Sequence, residues 1–309
     1  MQYVRALSAE VRTSGGEPVS THVAVEIAAQ PDCWHRASAL AERVAPRLPY
    51  PGERVAVVGC GTSWFVAQSY AWLREARGLG FTDAFAASEF PGVRDYDRVV
   101  AISRSGTTSE VLDLLDGVSA PTLALTADGA TPIADVADDL VVLDFADEAS
   151  VVQTRFATST LALLRASLGE DLSGAIADAR AALAAPLRPE WTGAGQFTFL
   201  GRGWTTGLAH EAALKMREAA GAWTESYPAM DYRHGPISIT APGRLVWVFG
   251  PAPAGLAQDV AATGGTFVTD DRDPMATLVL AQRLAVHIAQ EAGLDPDRPR
   301  HLTRSVILS

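Results

Sequence analysis

Short continuous runs of apolar residues alternate along the chain with stretches of helical periodicity. In the first half, four apolar runs predict strands at 54–60, 98–103, 121–127 and 139–145. Helical patterns lie between and after them, at 63–77, 108–117, 131–137 and 153–168. Strands that are apolar throughout are typical of a parallel sheet covered on both faces. The pattern therefore predicts a doubly wound α/β unit.

The same alternation begins again in the second half. An Ala-rich helix at 172–187 leads to Pro189 and two glycines, which we interpret as a boundary between a first domain at 20–188 and a second at 189–309. Further strands are expected at 196–201, 244–250 and 265–270, helices at 205–220 and 274–292, and a tail at 293–309.

Two short matches between the halves indicate a repeat. VVGCGTS resembles FLGRGWT, with Gly59 and Gly201 142 positions apart, and AASEF (86–90) has a weaker echo in TESYP (224–228). We interpret the chain as two copies of one nested α/β unit, although matches this short also arise by chance.

Composition narrows the class of protein. The 309 residues include only two cysteines, Cys33 and Cys60, which do not form a disulfide framework. The net charge of −11 argues against a nucleic-acid partner, and no apolar run approaches the roughly 20 residues that a bilayer requires. Residues 1–20 lack the apolar core of a signal peptide, so we expect a cytoplasmic protein without a membrane partner. An anionic substrate would have to be bound by local donors, against the field of the whole protein.

Two glycine-containing turns follow predicted strands. GCGTSW (59–64) begins like a dinucleotide fingerprint but has Trp64 where a small residue belongs, and GRGWTT (201–206) fails likewise at Thr206. Neither turn continues into Gly-Lys-Ser/Thr, which excludes a P-loop. We therefore predict no cofactor. What remains is a strand, a small-residue turn and a helix N-terminus, where backbone N–H groups and the helix dipole bind a phosphate.

Hydroxyl groups are unusually dense in the turn SRSGTT (103–108). Together with the turn at 59–64 it places four hydroxyls at adjacent strand ends, where ligands of open α/β sheets collect: Ser63, Ser103, Ser105 and Thr108. The alternative is a capping box, Thr107-x-x-Glu110, with ordinary turn chemistry around it. The corresponding turn of the second half, GPAPAG (250–255), has no hydroxyl. We therefore expect a single phosphate site, in the first half.

The helical pattern at 205–220 places Glu211, Lys215 and Glu218 on one stripe, opposite an apolar stripe. Spacing alone favours a solvated i,i+4 pair with a flanking acid; the functional alternative is that Glu218 is a general base. His234, in the loop sequence YRHGP, is by itself more typical of an exposed or structural histidine. No histidine has metal-ligand spacing, so we predict no metal, and no Gly-x-Ser-x-Gly elbow supports hydrolysis by a serine nucleophile.

Several segments together resemble the double sugar-isomerase (SIS) domain family. The chain is similar to the isomerase half of glucosamine-6-phosphate synthase and to aminosugar-phosphate deaminases and isomerases. The segments that carry the resemblance are CGTS (60–63), ASEF (87–90), ISRSGTT (102–108), FLGRG (199–203), HEAALKMRE (210–218), RHGP (233–236) and PRHLTRSV (299–306). It extends from 26 to the tail and implies two nested three-layer αβα subdomains of flavodoxin-like type.

The resemblance also implies residue roles. The residues that it places on the sugar phosphate are Gly61, Thr62, Ser63, Ser103, Arg104 through its backbone, Ser105 and Thr108. EASVVQT (148–154) resembles a loop that lines the sugar, which places Val151 and Gln153 beside it. Glu218 falls on the acid that moves a proton between C1 and C2, with Glu211 and Lys215 as its neighbours. His234 falls on a ring-opening histidine that reaches the site from the partner subunit of a homodimer.

Two departures from the synthase bear on the reaction. The chain shows no glutaminase region with its nucleophilic cysteine, so amination from glutamine is not expected. Arg304 stands where the synthase has a tail lysine that forms a Schiff base, and a permanently protonated arginine cannot do so; it remains able to bind a phosphate or a carboxylate. We therefore expect an isomerase-type enzyme that deaminates an aminosugar phosphate. The alternatives are a sugar-phosphate deglycase and a non-catalytic sugar-phosphate sensor.

Overall fold

The computed structural model describes residues 21–308. Residues 1–20, on which the expectation of no signal peptide depends, lie outside the described residues, and so does the first residue of the predicted first domain. Within the described part of the chain, no helix has both the length and the apolar character needed to cross a bilayer.

Five parallel strands form the first sheet, in the spatial order β2-β1-β3-β4-β5. Their bounds are β1 Val55–Gly59, β2 Thr82–Ala86, β3 Arg98–Ile102, β4 Thr122–Thr126 and β5 Asp139–Val142. The prediction from apolar runs found four of the five and missed β2. This edge strand, TDAFA, is mostly half-buried and contains Asp83, so it lacks the continuous apolar run of a central strand.

Four parallel strands form the second sheet, in the order β7-β6-β8-β9. Their bounds are β6 Gln196–Gly201, β7 Thr224–Pro228, β8 Arg244–Phe249 and β9 Thr266–Val268. The predicted strands at 196–201, 244–250 and 265–270 correspond to β6, β8 and β9, the last of which is shorter than expected. The strand missed here is again the edge strand, β7, whose residues are half-buried or exposed.

The two sheets repeat one topology, because β6 pairs with β7 and β8 as β1 pairs with β2 and β3. Gly59 ends β1 and Gly201 ends β6, and the same offset of 142 carries β2 onto β7. The nested α/β repeat is thus confirmed. The weaker match, AASEF with TESYP, is misaligned by four positions. AASEF begins at the last residue of β2, whereas TESYP is the whole of β7.

The helices cover both faces of each sheet. Their bounds are α1 His22–Ala28, α2 Gln30–Val44, α3 Thr62–Ala76, α4 Ser109–Gly117, α5 Ile133–Val136, α6 Arg155–Ser167, α7 Ser173–Ala184, α8 Pro189–Thr192, α9 Thr205–Ala220, α10 Leu256–Ala262 and α11 Pro274–Glu291. The sequence analysis did not predict α1, α2, α8 or α10. The strand–helix alternation therefore holds, with α1 and α2 added before the first strand.

One apolar core runs between the two sheets and includes residues from both halves of the chain. Alternation along β1 shows how it is built: Val55 and Val57 face this core, whereas Ala56 and Val58 face a smaller cluster on the outer side. Phe197 of β6 contributes to the shared core from the second sheet. The architecture is α/β with two parallel sheets, as predicted.

Close approach of α3 and α9 joins the two halves. At Gly207 a Cβ atom would lie 2.3 Å from the backbone oxygen of Phe65, so only glycine fits at this crossing. The first turn of α3 lies beside the C-terminal half of α9, since Lys215 of α9 donates a hydrogen bond to Thr62 of α3. The functional residues predicted on these two helices are therefore neighbours in space.

Candidate active site

Both predicted phosphate turns lie at the point where the strand order of the first sheet reverses. β1 and β3 are adjacent, and their crossovers run in opposite directions to β2 and β4. Ser63 follows β1 in the first turn of α3, and the turn 103–108 follows β3. The carboxyl ends of strands at such a reversal form the crevice in which open α/β sheets bind ligands.

Backbone N–H groups in the turn after β3 are available to an anion. Ser103 Oγ accepts a hydrogen bond from Gly106 N at 3.2 Å, and Ser105 Oγ accepts one from Thr107 N at 3.3 Å. Within residues 21–308, the N–H groups of Arg104, Ser105 and Thr108 donate no hydrogen bond. These donors precede α4, whose N-terminus adds the favourable end of the helix dipole.

Gly106 fixes the shape of this turn. Its φ of +61° is a left-handed conformation that favours glycine. A Cβ atom at this position would also lie 2.0 Å from Thr131 Oγ1. The tight turn therefore requires glycine for two independent reasons.

The capping-box alternative for this turn is wrong. α4 begins at Ser109 with Thr108 as its N-cap, and no side chain caps the helix. The hydroxyl of Thr107 instead donates to Ser305 Oγ in the C-terminal tail at 2.9 Å. The surplus hydroxyls are thus not explained by helix capping.

A buried cluster of charges on α9 faces the turn after β1. The Lys215 ammonium lies 2.5 Å from Glu218 Oε2 and 3.4 Å from Glu211 Oε1, and it donates to Thr62 Oγ1 at 3.0 Å. Lys215 and Glu211 are only 1% and 2% exposed. The solvated ion pair that spacing alone favoured is therefore wrong. Lys215 connects the candidate base Glu218 directly to the candidate phosphate turn.

Burial shifts the proton affinities of this cluster. Removal from water raises the pKa of Glu211 to about 7, against the opposing effect of the Lys215 cation. Within the described chain, neither carboxyl oxygen of Glu211 has a hydrogen-bond partner. Burial by itself would lower the pKa of Lys215, but the two carboxylates outweigh it and the pKa is raised. Lys215 therefore stays protonated between two acids, of which Glu211 is fully buried and Glu218 is partly exposed.

The segment 147–154 is held by a second buried network. Arg104 donates to Ser150 O at 3.0 Å and Val151 O at 3.3 Å. Glu148 accepts hydrogen bonds from Thr154 N and Oγ1, and its pKa is raised by burial despite the nearby Arg104. The buried side chain of Arg104 therefore holds the segment 147–154 in place, in addition to the backbone role that the resemblance implies.

Glu26 supports the same segment from α1. Its carboxylate accepts from Ser150 Oγ at 2.6 Å and from Ala149 N at 2.5 Å. Val151 and Gln153 are half-buried, and Gln153 Oε1 is a buried atom with no hydrogen-bond partner among the described residues. The amide of Gln153 is thus free to bind a polar ligand.

The C-terminal tail crosses the phosphate turn. Arg104 Nη2 donates to Arg304 O at 2.9 Å, and Ser109 N donates to Val306 O at 3.2 Å. The Arg304 guanidinium is hydrogen-bonded to Glu148 O and lies 2.5 Å from Asp147 Oδ1. Arg304 therefore has protein partners on the segment that the resemblance places beside the sugar.

His234 stands apart from this cluster within the chain. It ends a short 3-10 turn, Asp231–His234, that follows β7, and its side chain is exposed. Among residues 21–308 its ring makes no hydrogen bond. In the described chain, hydrogen bonds link Thr62 to Lys215 and Glu218, and Arg104 to Val151 and Arg304, whereas none links His234 to either group.

The sequence analysis missed two sets of residues at the site. Glu148 begins the segment EASVVQT, and the resemblance begins at Glu26, whose signal is a lone acid in the apolar stretch VAVEIAA. Three arginines were also missed: Arg217, Arg298 and Arg300 line a cavity between α9 and residues 293–302 that Glu218 also lines. Their signal is a local excess of arginine, seen in DRPRHLTR, within a chain of net charge −11.

Comparison with known proteins identifies the class of the chain. The glutamine–fructose-6-phosphate aminotransferase of Aeropyrum pernix is 30% identical over 318 aligned positions, covering 82% of this chain and 51% of that protein. The corresponding protein of Gloeobacter violaceus is 28% identical, with 82% and 52% covered. The chain is a member of the sugar-isomerase (SIS) domain family. This SIS protein spans about half the length of the curated relatives that it matches. No protein-family model matches it.

A solved structure shares the fold of this SIS protein. The glucosamine-6-phosphate deaminase of Thermotoga maritima superimposes with a TM-score of 0.78 at 23% identity, covering 93% of this chain and all of that one. At this identity the likeness shows the fold: two SIS subdomains around one core.

Proposed function

We propose that this SIS protein is an isomerase-type enzyme that removes the amino group from a phosphorylated aminosugar, such as glucosamine 6-phosphate. The observation that carries the proposal is the bridge from Glu218 through Lys215 to Thr62. It places a carboxylate beside the turn after β1, and the adjacent turn after β3 has the free anion donors. A phosphate held by that turn would leave the reacting carbons of the same sugar within reach of Glu218.

The reaction balances without a cofactor. His234 assists opening of the sugar ring, and Glu218 takes the proton from C2 and returns it to C1. The electron pair of the C2–H bond forms a C1–C2 double bond while the C1 carbonyl oxygen takes up a proton. The nitrogen lone pair then forms the C2–N imine as the electrons of the C1–C2 double bond take the proton at C1. Water adds to C2 and ammonia leaves, which yields a ketose phosphate with one water consumed. The ion pair with Lys215 at 2.5 Å fixes the position of the Glu218 carboxylate, which a general base needs.

An assay panel tests this function. Hexose and hexosamine phosphates are scored separately for ammonia release and for aldose–ketose conversion. We expect ammonia only from the aminosugar phosphates. Conversion of plain hexose phosphates without ammonia would make the protein a simple isomerase. Tight binding of a sugar phosphate without turnover would make it a sensor and contradict the proposal.

A homodimer is part of the proposal, with His234 contributed to the site by the partner chain. Its support is that His234 is exposed and, within the described chain, makes no hydrogen bond to the α9 cluster. Mixing two inactive variants, Glu218→Gln and His234→Ala, should restore part of the activity, because some sites would then contain both intact residues. No recovery in a verified mixed dimer would place both residues in the site of one chain.

A further inference from the structure

A cavity of about 880 Å³ lies on the outer side of the first sheet, within the usual size range of small-ligand sites. One wall is formed by residues 87–97, which follow β2, and the other by α4 together with residues 117–121. Val99 and Leu114 line the cavity and also belong to or pack against the apolar cluster on the outer face of the sheet. The core of the first half therefore forms part of the cavity surface.

Two aromatic residues line this cavity, Phe90 and Tyr96. Their ring centroids are 5.9 Å apart, and both rings pack against Phe85 of β2, at 5.4 Å and 6.4 Å. The Tyr96 hydroxyl donates a hydrogen bond to Asp83 Oδ2 at 2.7 Å, which holds its ring in place. Aromatic rings attract cations as well as apolar groups. This wall therefore suits a ligand that combines an apolar body with a positive charge.

The charged groups along the cavity are unbalanced in sign. The arginine of the lining, Arg94, already pairs with Asp83 at 2.7 Å. Asp97 of the lining pairs with Arg54 at 3.4 Å. Three further carboxylates of the lining have no cation within 4.0 Å among residues 21–308: Asp95, Glu110 and Asp113. This uncompensated negative charge favours a cationic occupant.

Glu110 needs a partner more than the other two acids. Its Oε2 atom is buried and, in the described chain, has no hydrogen-bond partner. The helix does not use this carboxylate at its N-terminus, since no side chain caps α4. A buried carboxylate oxygen without a donor is unfavourable, and a donor bound in the cavity would satisfy it. Asp113 lies three positions further along α4 and lines the same cavity, so both carboxylates face one ligand.

This cavity is separate from the candidate active site. None of the turn hydroxyls at 63, 103, 105 or 108 lines it, and neither Lys215 nor Glu218 does. The two places share only α4, whose N-terminus adjoins the phosphate turn and whose outer face lines the cavity. The turn offers N–H donors, which suit an anion, whereas the cavity offers carboxylates. A sugar phosphate is therefore the wrong occupant for the cavity.

We propose that the cavity between residues 87–97 and α4 is a second binding site, whose ligand is an organic cation: an amine or guanidinium group on an apolar body. The positive group donates hydrogen bonds to Glu110 Oε2 and to the Asp113 carboxylate, and the apolar body packs on Phe90 and Tyr96. An inorganic cation would leave this aromatic wall unused. An anion would be repelled by the unpaired carboxylates in a protein whose net charge is already −11.

A pair of probes that differ in charge tests the inference. 2-Phenylethylamine is a cation at pH 7, whereas 2-phenylethanol has the same ring and the same two-carbon chain but is neutral. Both are titrated into the full wild-type chain, and binding is followed by ligand-observed NMR, which also measures weak affinities. We expect the amine to bind about ten-fold more tightly than the alcohol, as a charge-assisted hydrogen bond predicts.

Loss of the carboxylates gives the decisive comparison. In the double variant Glu110→Gln/Asp113→Asn, the preference for the amine should fall below about three-fold, because only neutral acceptors remain. Asp116→Asn is the matched control, since Asp116 is an exposed acid of the same helix that does not line the cavity and has no ion pair in the described chain. It should keep the full preference. Melting temperatures verify that all variants fold.

A third variant tests the aromatic wall. Phe90→Leu keeps an apolar side chain but removes the ring, so it should weaken binding of the amine more than binding of the alcohol, by about three-fold. Addition of glucosamine 6-phosphate should leave binding of the amine unchanged, because the candidate active site does not overlap the cavity.

Several results would overturn the inference. They are equal affinity for the two probes, binding of neither, a preference that survives loss of both carboxylates, and an unchanged preference in Phe90→Leu. Displacement of the amine by glucosamine 6-phosphate would also overturn it, since the probe would then occupy the candidate active site. None of these results bears on the proposed function, which the ammonia assay decides.

Discussion

The two strand reversals of the molecule share one topology but differ in chemistry. After β3, the turn 103–108 has three backbone N–H groups that donate to no described residue. At the equivalent place after β8, the segment 250–255 has no hydroxyl, and Thr205 Oγ1 donates to Phe249 O at 2.9 Å. Four N–H groups of this segment likewise donate to no described residue, those of Gly250, Ala252, Ala254 and Gly255. The two reversals therefore differ in their hydroxyl groups, which only the first has, and not in free backbone N–H groups.

The difference shows that a repeated fold need not repeat its site. The second half contributes instead a helix: α9 supplies Lys215 and Glu218, and its partner α3 supplies Thr62. The tail then adds Ser305, which bonds to Thr107 of the first half. The candidate site is thus built by both halves, with the anion donors on one side and the proton-transfer group on the other.

Among the substitutions considered, removal of the Glu218 carboxylate should have the largest effect on activity. We expect Glu218→Gln to lower kcat about 10²- to 10⁴-fold, the usual contribution of a positioned general base. The affinity for sugar phosphate should change little, because the donors of the turn are intact. Calorimetry alongside the ammonia assay measures both quantities. An unchanged kcat would remove Glu218 from the chemistry.

The buried acid Glu211, on the second-half helix α9, should make the free energy of unfolding depend on pH, which an exposed acid would not do. Its pKa rises from 4.5 to about 7 on folding, so the folded state binds more protons than the unfolded state between these values. The free energy of unfolding therefore falls as pH rises through this window, by about 3 kcal/mol at 1.36 kcal/mol per unit.

Glu211→Gln should abolish that fall, since glutamine does not titrate. Urea unfolding at pH 5 and pH 8 measures the difference between variant and wild type. Glu42→Gln, at an exposed acid of α2, is the control and should follow the wild type. If Glu211→Gln lost stability with pH as steeply as the wild type, Glu211 would not be the titrating group.

The turn hydroxyls give a smaller effect that compares the two halves directly. We expect Ser105→Ala and Thr108→Val each to weaken sugar-phosphate binding about ten-fold, because a hydrogen bond to a charged group contributes roughly 1.5–3 kcal/mol. Thr206→Val, at a hydroxyl in the first turn of α9 after β6, should leave binding unchanged. Calorimetry should also find one phosphate site per chain. Two equivalent sites, or no loss in either first-half variant, would contradict the asymmetry.

Much of the fold could be predicted from local patterns, and the exceptions have a physical reason. Central strands such as β1 and β3 are buried on both faces and therefore apolar throughout. The missed strands β2 and β7 are edge strands whose sequences, TDAFA and TESYP, contain no valine, isoleucine or leucine, whereas the edge strands β5 and β9 contain the short runs LVV and FV. The burial of a strand depends on its position in the assembled sheet, which the local sequence does not specify.

The site was predictable in residue type but not in environment. The spacing of Glu211, Lys215 and Glu218 gives their common stripe, but whether that stripe meets water or α3 depends on tertiary packing. Here it meets Thr62, which reverses the solvated interpretation. The path of the tail over residues 104–109 is equally non-local, since Arg304 is 200 positions from Arg104.

The smallest effect is expected at Arg304, where this chain departs from the synthase lysine. If turnover required a covalent imine with the tail, Arg304→Lys would restore or raise it. The proposed substrate already carries its nitrogen, so no tail nucleophile is needed, and borohydride should trap no sugar on the wild-type protein.

The contacts of Arg304 support this expectation. Its guanidinium is hydrogen-bonded to Glu148 O and paired with Asp147 at a half-exposed position. A lysine could keep only part of these contacts, which costs less than about 1 kcal/mol of stability because exposed ion pairs are weak. We therefore expect Arg304→Lys to give no gain in kcat, measured as ammonia release, and a slightly lower melting temperature. A large gain in rate, or a trapped sugar adduct, would show that the tail takes part covalently.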